Sequence, residues 1–494
     1  MNRPLRWYNH VAINIYMVAL QVNAGTMAPL LLPYLVALFV PPDMKNTYLA
    51  TARVLGLAAA MLAQPLAGLL SDRSTSRFGR RRPYLVGGTV FSLLFLAVVG
   101  ISPRFLDSPW DETFQSALGV PVAYVILLVG SVLLYAAANV AHGAQQALIP
   151  DLVPEAQRGQ ASGIKAILEL VIPGVIIIGL APLLDRGLVG LVVGVVAAVF
   201  IACTLATIMF VREEPRQQGP RTPLTGPILR VVALVVIFVS VTQGAVWLVG
   251  ASGELMARRG ASLEQQVAVV GLVGLGGMAG AILLGVYGGI RVALGREARQ
   301  QTSFAWWVVN RLLFLTPVTS MGSFLLYYMT DVLHISSAST ATNGLMVAVA
   351  LSLIPAALAG GYLADRIGRR LLIGLAAVVA ALGTLVLILS SGLLMAIVSG
   401  CIIGLAAGVF MAANWALGTD LVPPEQAGRY LGLSNLAGAG AGLVGVGIGG
   451  PMADYFNRLQ AGLGYLVIFG VYGLLLLLSA VVLTRVRKTK AVAE

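Results

Sequence analysis

Long apolar runs separated by short polar stretches cover almost the whole chain. Most of these runs reach the roughly 20 residues that an α-helix needs to cross a bilayer. We place membrane helices at 8–38, 47–70, 83–102, 121–148, 161–184, 188–211, 229–250, 266–290, 304–333, 340–363, 371–390, 392–417, 430–453 and 463–484. The pattern therefore predicts an all-α membrane protein with fourteen transmembrane helices.

The composition agrees with this prediction. Of the 494 residues, 58% are hydrophobic and only 11% are charged, whereas soluble proteins average about 25% charged residues. The net charge of +12 comes from arginines at helix ends, so we expect no nucleic-acid partner. The two cysteines, Cys203 and Cys401, fall within apolar segments, and so no disulfide framework is indicated.

The arginines also predict a topology, because cytoplasmic loops are enriched in Lys and Arg. If both termini are cytoplasmic, most of the 32 basic residues lie inside or at the inner border. This bias of basic residues toward the inside holds only if the pair 229–250 and 266–290 crosses the membrane and returns. The loop 251–265 is then outside and the loop 291–303 inside. We expect a multi-pass protein of the cell (inner) membrane.

Two charged stretches in the two halves of the chain share one pattern. In each, a glycine precedes an acid by four residues, an arginine follows the acid, and Gly-Arg-Arg closes the stretch. The pattern predicts an internal repeat and a cytoplasmic gate motif, although a solvated charged loop is the alternative. The gate motif comprises Gly68, Asp72, Arg73, Gly79, Arg80 and Arg81, and again Gly361, Asp365, Arg366, Gly368, Arg369 and Arg370.

A second repeat supports two related halves. Asp-Leu-Val-Pro occurs at Asp151 and at Asp420, and a glycine follows at the same distance, Gly163 and Gly432. We therefore divide the chain into an N-terminal six-helix bundle (1–212), a cytoplasmic linker with two extra transmembrane helices (213–303), and a C-terminal six-helix bundle (304–494).

With these motifs the chain resembles the major facilitator superfamily, whose signature loop joins the second and third helices of each half. The first loop, Ser-Asp-Arg-x3-Arg-Phe-Gly-Arg-Arg-Arg-Pro, is similar to that of glycoside–pentoside–hexuronide cation symporters and sucrose transporters. The extra pair is similar to that of fourteen-helix drug–proton antiporters and some peptide transporters. The resemblance implies the major facilitator fold, two six-helix bundles with two extra central helices, and a small-molecule substrate.

Ionisable side chains inside the membrane are costly, so each is a site hypothesis. Glu169 is the only carboxylate well inside a predicted helix, and Lys165 lies one turn before it on the same face. Arg311 lies at a matching depth in 304–333. We predict these three and His142 as proton-coupling candidates; a structural ion pair is the alternative. Sodium-coupled members of the symporter branch that the chain resembles carry acids on the second helix, whereas segment 47–70 contains none, so the resemblance argues against sodium coupling.

Amide and aromatic side chains recur at helical spacing in 8–38 and 121–148. The resemblance implies that these segments, with 304–333 and 392–417, line a central cavity. Amides hydrogen-bond hydroxyls and rings stack on C–H faces, as a sugar requires; interhelical hydrogen bonds are the alternative. The substrate-cavity candidates are Asn14, Gln21, Tyr135, Asn139, Gln146, Trp307, Asn310, Asn414 and Trp415.

No catalytic constellation and no Gly-Lys-Ser/Thr phosphate loop occurs, so we expect neither an enzyme nor a cofactor. The histidines His10, His142 and His334 are not at metal-ligand spacing. The favoured function is proton-coupled symport of a sugar or glycoside by alternating access. The alternatives are proton-driven efflux of amphipathic compounds and a non-transporting membrane receptor or assembly factor. The expected partners are the substrate, protons and the lipid bilayer, and the protein is expected to be a monomer.

Overall fold

The computed structural model describes residues 5–154, 157–211, 213, 225–295, 302–422 and 427–486. These residues form helices and short connections, and the all-α prediction is confirmed. The long helices are α1 Trp7–Phe39, α2 Lys45–Ser71, α3 Arg82–Ile101, α4 Val122–Gln146, α5 Arg158–Asp185, α6 Val189–Phe210, α7 Thr225–Arg258, α8 Leu263–Leu294, α9 Thr302–Asp331, α10 Ala338–Ile367, α11 Arg369–Ile388, α12 Leu393–Asp420, α13 Ala427–Leu459 and α14 Leu463–Val482.

Each predicted segment corresponds to one of these helices. Among the described residues, 13 helices are long and apolar enough to cross a membrane. The remaining helix, α13, occupies the predicted segment 430–453. Residues 214–224, near the start of the predicted linker, lie outside the described residues, as do Arg296 and Arg299 of the loop predicted to be inside.

The connection between α7 and α8 is shorter than the predicted loop 251–265. The helices continue to Arg258 and resume at Leu263. Gly260 adopts a φ of 61° at the turn, in a region that favours glycine. The Ser262 side chain then accepts a hydrogen bond from the Gln265 backbone, and the Gln265 side chain accepts one from the Ser262 backbone. This reciprocal cap fixes where α8 begins.

The first compact unit comprises Met1–Pro41 and Leu55–Val231. In it α3 packs on α4, and α1 packs on α5 and α6. Tyr16 and Thr89 share a hydrogen bond of 2.7 Å, and Thr89 and Thr204 share one of 3.1 Å. The three buried hydroxyls join α1, α3 and α6. Such bonds stabilise helix contacts in lipid, where apolar burial between helices contributes little.

The second compact unit comprises Pro42–Val54 and Val232–Glu494. Its helix α12 packs against α10 and α11, and α13 packs against α8, α9 and α14. A Cβ added to Gly404 of α12 would lie 3.0 Å from the Val349 Cα of α10, so the close approach requires glycine. The pair α7 and α8 belongs to this unit, and the division of the chain at 212 and 303 stays a prediction.

Candidate functional site

A polar cluster in the first unit surrounds Glu169. Its Oε1 accepts a hydrogen bond of 2.8 Å from Gln21 Nε2, and its Oε2 lies 3.8 Å from Lys165 Nζ. The Lys165 and Glu169 side chains are 28% and 29% exposed. The structure thus brings together three predicted site residues, two proton-coupling candidates from α5 and one cavity candidate from α1. The carboxylate has one neutral and one cationic partner.

A second polar chain in the same unit links α4 to α2. Gln146 Nε2 lies 3.0 Å from His142 Nε2, and Gln64 Nε2 donates to Gln146 Oε1 at 3.1 Å. Asn139, by contrast, donates to the carbonyl of Tyr135 in its own helix at 2.8 Å. Of the predicted site residues on α4, Gln146 therefore reaches another helix, whereas His142 and Asn139 form hydrogen bonds within α4.

Asn14 is fully buried in a contact between helices. Its Nδ2 donates to the carbonyls of His10 at 2.9 Å and of Ala161, in α5, at 3.3 Å. The first bond stays within α1 and the second joins α1 to α5. For this candidate the structure shows the interhelical alternative.

Three cavity candidates of the second unit are also engaged in helix contacts. Asn310 Nδ2 donates to the backbone and hydroxyl oxygens of Ser479 at 2.8 and 2.9 Å. Asn414 Nδ2 donates to Asn310 Oδ1 at 2.9 Å, and Trp307 Nε1 donates to the Asn414 carbonyl at 3.0 Å. These buried bonds tie α9, α12 and α14 together.

Arg311 and Trp415 are placed differently. The Arg311 guanidinium carbon lies 5.0 Å from the Trp415 ring centroid and 5.7 Å from that of Trp307, within the range of cation–π attraction. Both residues line a cavity of about 130 Å³ with Leu315, Phe410, Met411 and Asn414. Trp415 is 39% exposed. The cavity therefore has an aromatic and cationic wall.

The first gate motif is organised by Arg81, which is 4% exposed. Its Nη2 lies 2.5 Å from Asp72 Oδ1, its Nε lies 3.0 Å from Asp151 Oδ2, and its Nη1 donates to Ser71 Oγ at 2.5 Å. Arg80 also pairs with Asp151. One arginine thus joins the end of α2, the start of α3 and the short helix that follows α4.

The second gate motif repeats this arrangement near the surface. Arg369 pairs with Asp420 and lies 3.4 Å from Asp365 Oδ1. The two carboxylate side chains are 48% and 71% exposed. Gly79 and Gly368 have φ angles of 98° and 93°, so both copies need glycine at this position.

The other members of the motif have weaker structural roles. A Cβ on Gly68 or Gly361 would meet no heavy atom of the described residues within 4 Å, so steric crowding does not require these glycines. The Arg366 guanidinium lies 4.4 Å from the centre of the Tyr362 ring. Arg370 lines a cavity of about 420 Å³ beside Arg369.

The sequence prediction missed one buried carboxylate. The predicted segment 430–453 ended one residue before Asp454, but α13 continues to Leu459. Asp454 is 2% exposed and accepts hydrogen bonds from Asn46 and Thr47 in the first turn of α2. Glu169 is therefore not the only carboxylate within a long helix. The acid's position beside a glycine-dense apolar run was the available signal.

Polar clusters within long apolar helices are typical of membrane transport proteins. The family model described as Major Facilitator Superfamily matches residues 15–305 and 307–494. The chain belongs to this superfamily, as its motifs predicted.

Curated relatives match over shorter stretches. The sucrose transport protein SUC4 of Arabidopsis thaliana is 30% identical over 150 residues, 30% of this chain and 28% of the relative. The general alpha-glucoside permease of Schizosaccharomyces pombe is 27% identical over 152 residues, 31% of this chain and 26% of the relative. The chain thus matches less than a third of the length of these relatives.

Solved structures match over nearly the whole chain. An auto-inhibited peptide transporter of the POT family has a TM-score of 0.65 at 13% identity, covering 98% of both chains. A D-xylose-proton symporter has a TM-score of 0.61 at 16% identity, covering 98% of this chain and 97% of its own. At these identities the likeness shows the fold, and the predicted major facilitator fold is confirmed.

Proposed function

We propose that this protein is a secondary transporter that carries a sugar or glycoside together with protons by alternating access. The observation that carries the proposal is the Glu169 carboxylate, which lies within a membrane helix and contacts Gln21 and Lys165. The local likeness to a sucrose transport protein and an alpha-glucoside permease supports the substrate class.

Glu169 suits the proton-binding role because protonation affects its contact with Lys165 differently from its contact with Gln21. The ionised carboxylate attracts the Lys165 ammonium and accepts the Gln21 amide. The protonated acid loses the attraction to Lys165 and still has an oxygen that accepts the amide. Protonation of Glu169 therefore weakens its contact with Lys165 in α5 and keeps its contact with Gln21 in α1. This change can shift α5 relative to α1.

In the second unit we assign substrate binding to Arg311 and Trp415. The guanidinium can donate to sugar hydroxyls, and the indole ring can pack on the C–H face of a pyranose. Their cavity of about 130 Å³ is smaller than the 300–1,000 Å³ of typical ligand pockets. It would hold one part of a sugar, and we expect other residues to supply the remaining contacts.

We further propose that the protein lies in the cell (inner) membrane as a monomer with both termini in the cytoplasm. The support for this orientation is the arginine bias, since both gate motifs then face the cytoplasm. Helices α7 and α8 cross and return in this topology, and the Ser262 cap lies outside.

Transport by purified protein in liposomes tests the proposed function. Labelled sucrose, maltose and xylose are offered with an acidic outer solution, and protein-free liposomes and a protonophore serve as controls. We expect uptake of at least one sugar that depends on the pH gradient. Extrusion of an amphipathic dye without sugar flux would support the efflux alternative. Absence of any flux, with a sugar bound, would support a receptor.

A further inference from the structure

The first turn of α2 rests on a buried carboxylate from α13. Asp454 Oδ1 accepts hydrogen bonds from the Asn46 backbone N–H at 3.1 Å and from Asn46 Nδ2 at 2.8 Å. Asp454 Oδ2 accepts one from the Thr47 backbone N–H at 2.6 Å. All of these residues belong to the second unit. We call this contact the α2 clasp.

The carboxylate of Asp454 is chemically well suited to the N-terminal end of α2. The first N–H groups of a helix have no partners within the helix, and that end carries partial positive charge. Helices usually satisfy these groups with a nearby residue. Here the acceptor is an ionisable group that lies 408 residues from Asn46 in the chain. The first turn of α2 therefore has this acceptor only when α13 is beside it.

A second carboxylate extends the clasp to two more helices. Lys45 Nζ lies 2.6 Å from Asp331 Oδ2 at the end of α9. Tyr465 of α14 donates to Asp331 Oδ2 at 2.8 Å and accepts from Asn46 Nδ2 at 3.3 Å. The polar groups thus form one connected network around the first turn of α2.

Glycine permits this close contact one turn earlier on α13. A Cβ added to Gly450 would lie 2.5 Å from the Ala50 Cβ of α2. The two helices therefore touch through small residues beside the buried carboxylate. A large side chain at Gly450 would meet Ala50 and the Asn46 backbone and separate the helices, while every polar side chain of the clasp is kept.

The position of the clasp in α2 suggests its purpose. Residues Pro42–Val54 cluster with the second unit, and Leu55–Ser71 of the same helix cluster with the first. One continuous helix is therefore shared between two compact bodies. If α2 moves with the first unit during transport, its first turn must leave Asp454.

We propose that Asp454 is a positioning residue of the transport cycle, whose clasp on α2 closes in one state and opens in the other. This rests on the proposed transport function. In the predicted topology α2 begins on the outer side, so the clasp lies at the outer end of α2. The competing possibility is a permanent cap that never opens.

Hydrogen–deuterium exchange of the full chain in nanodiscs measures the clasp directly. Asp454→Asn keeps the side-chain shape but turns an N–H donor toward the donors of α2. We expect the amides of residues 42–54 to exchange about tenfold faster or more, as loss of one charge-assisted hydrogen bond implies. The matched control is Asn457→Ala, which removes a bond of 2.8 Å to the Gly464 N–H at the start of α14. It should leave residues 42–54 unchanged.

Cysteine labelling tests whether the clasp opens in the wild-type cycle. Ala50→Cys is introduced after Cys203→Ser and Cys401→Ser, and a membrane-impermeant maleimide is added. Ala50 is 3% exposed, so labelling requires opening. We expect slow labelling in the otherwise native chain, and labelling about tenfold faster with Asp454→Asn. Gly450→Leu, which forces the helices apart sterically, should act in the same direction.

Three results would overturn the proposal. The first is no labelling of Ala50→Cys in the native background, even after long exposure to the maleimide, which a permanent cap predicts. The second is that Asp454→Asn leaves the exchange of residues 42–54 unchanged and that neither Asp454→Asn nor Gly450→Leu changes the labelling of Ala50→Cys. The third is a uniform rise in exchange along the chain, which indicates general destabilisation. Since exchange and labelling by themselves require no sugar, failure of the proposed substrate would leave these measurements interpretable.

Discussion

Replacing Glu169 by glutamine should uncouple substrate transport from proton transport. The variant keeps the side-chain shape and can still accept the amide of Gln21, but it cannot bind or release a proton. Accumulation driven by a pH gradient should disappear. Exchange of labelled for unlabelled substrate should continue, because exchange does not require release of the proton.

The structure indicates that this change leaves the fold intact. The Lys165 contact is 3.8 Å long between side chains that are 28% and 29% exposed, and such a helix pair contributes about 0.3–0.5 kcal/mol. Replacing a charged acceptor by a neutral one for Gln21 costs about 1 kcal/mol. The sum stays below about 2 kcal/mol. By contrast, one pH unit is worth about 1.36 kcal/mol per proton, so coupled symport should concentrate substrate about tenfold, and the variant not at all.

Proteoliposomes measure both quantities in one preparation. Glu254→Gln is the matched control, because Glu254 forms a similar pair with Arg258 at 3.6 Å on the surface of α7. It should accumulate substrate normally. If Glu169→Gln still concentrates substrate against a gradient, Glu169 is only a structural partner of Lys165. His142 then becomes the next candidate for the proton.

Further predictions concern the gate motifs and the topology. Arg81→Gln removes a buried guanidinium that contacts Asp72, Asp151 and Ser71 and should lower the free energy of unfolding by about 2–4 kcal/mol, whereas Arg369→Gln, in an exposed pair, should cost about 1 kcal/mol or less. Urea unfolding in detergent compares the two variants, and equal losses would contradict the difference in burial. Asp72→Asn should slow turnover with little loss of substrate binding, and a normal transport rate would remove Asp72 from the gate. An impermeant maleimide added outside should label a cysteine at Ser262 and none at Ser303, and the reverse pattern would exclude the fourteen-helix topology.

The helices were predictable because the bilayer imposes one length and one polarity on every crossing segment. Their ends were less predictable where polar residues are buried. Asp454 and Arg458 resemble the start of a loop in the sequence, but α13 contains both. The carboxylate is tolerated there because Asn46 and Thr47 satisfy it. A distant partner of this kind leaves no local pattern in the sequence.

The candidate site also depends on distant partners that the sequence does not reveal. The family resemblance placed Asn310 and Asn414 in segments that were expected to line a cavity, but it did not identify their partners. In the structure they bond to each other and to Ser479. Similarly, Gln21 was predicted to line a substrate cavity, and its amide donates to Glu169; its contact with substrate stays a prediction. Spacing defines a face of one helix, whereas the partner depends on which helix packs against it.

The two repeat signals in the sequence are parts of the same ion clusters. Asp72 and Asp151 meet at Arg81, and Asp365 and Asp420 meet at Arg369. The shared arginine differs in its distance from the glycine with positive φ. Arg81 is the second residue after Gly79, whereas Arg369 directly follows Gly368.

The four additional residues of the first loop accompany this shift and the deeper burial of the guanidinium. Each cluster joins the ends of helices within a single unit. The clusters therefore stiffen each unit as a body, which rigid-body motion in alternating access requires. On this argument the buried first cluster should limit turnover more strongly than the exposed second one.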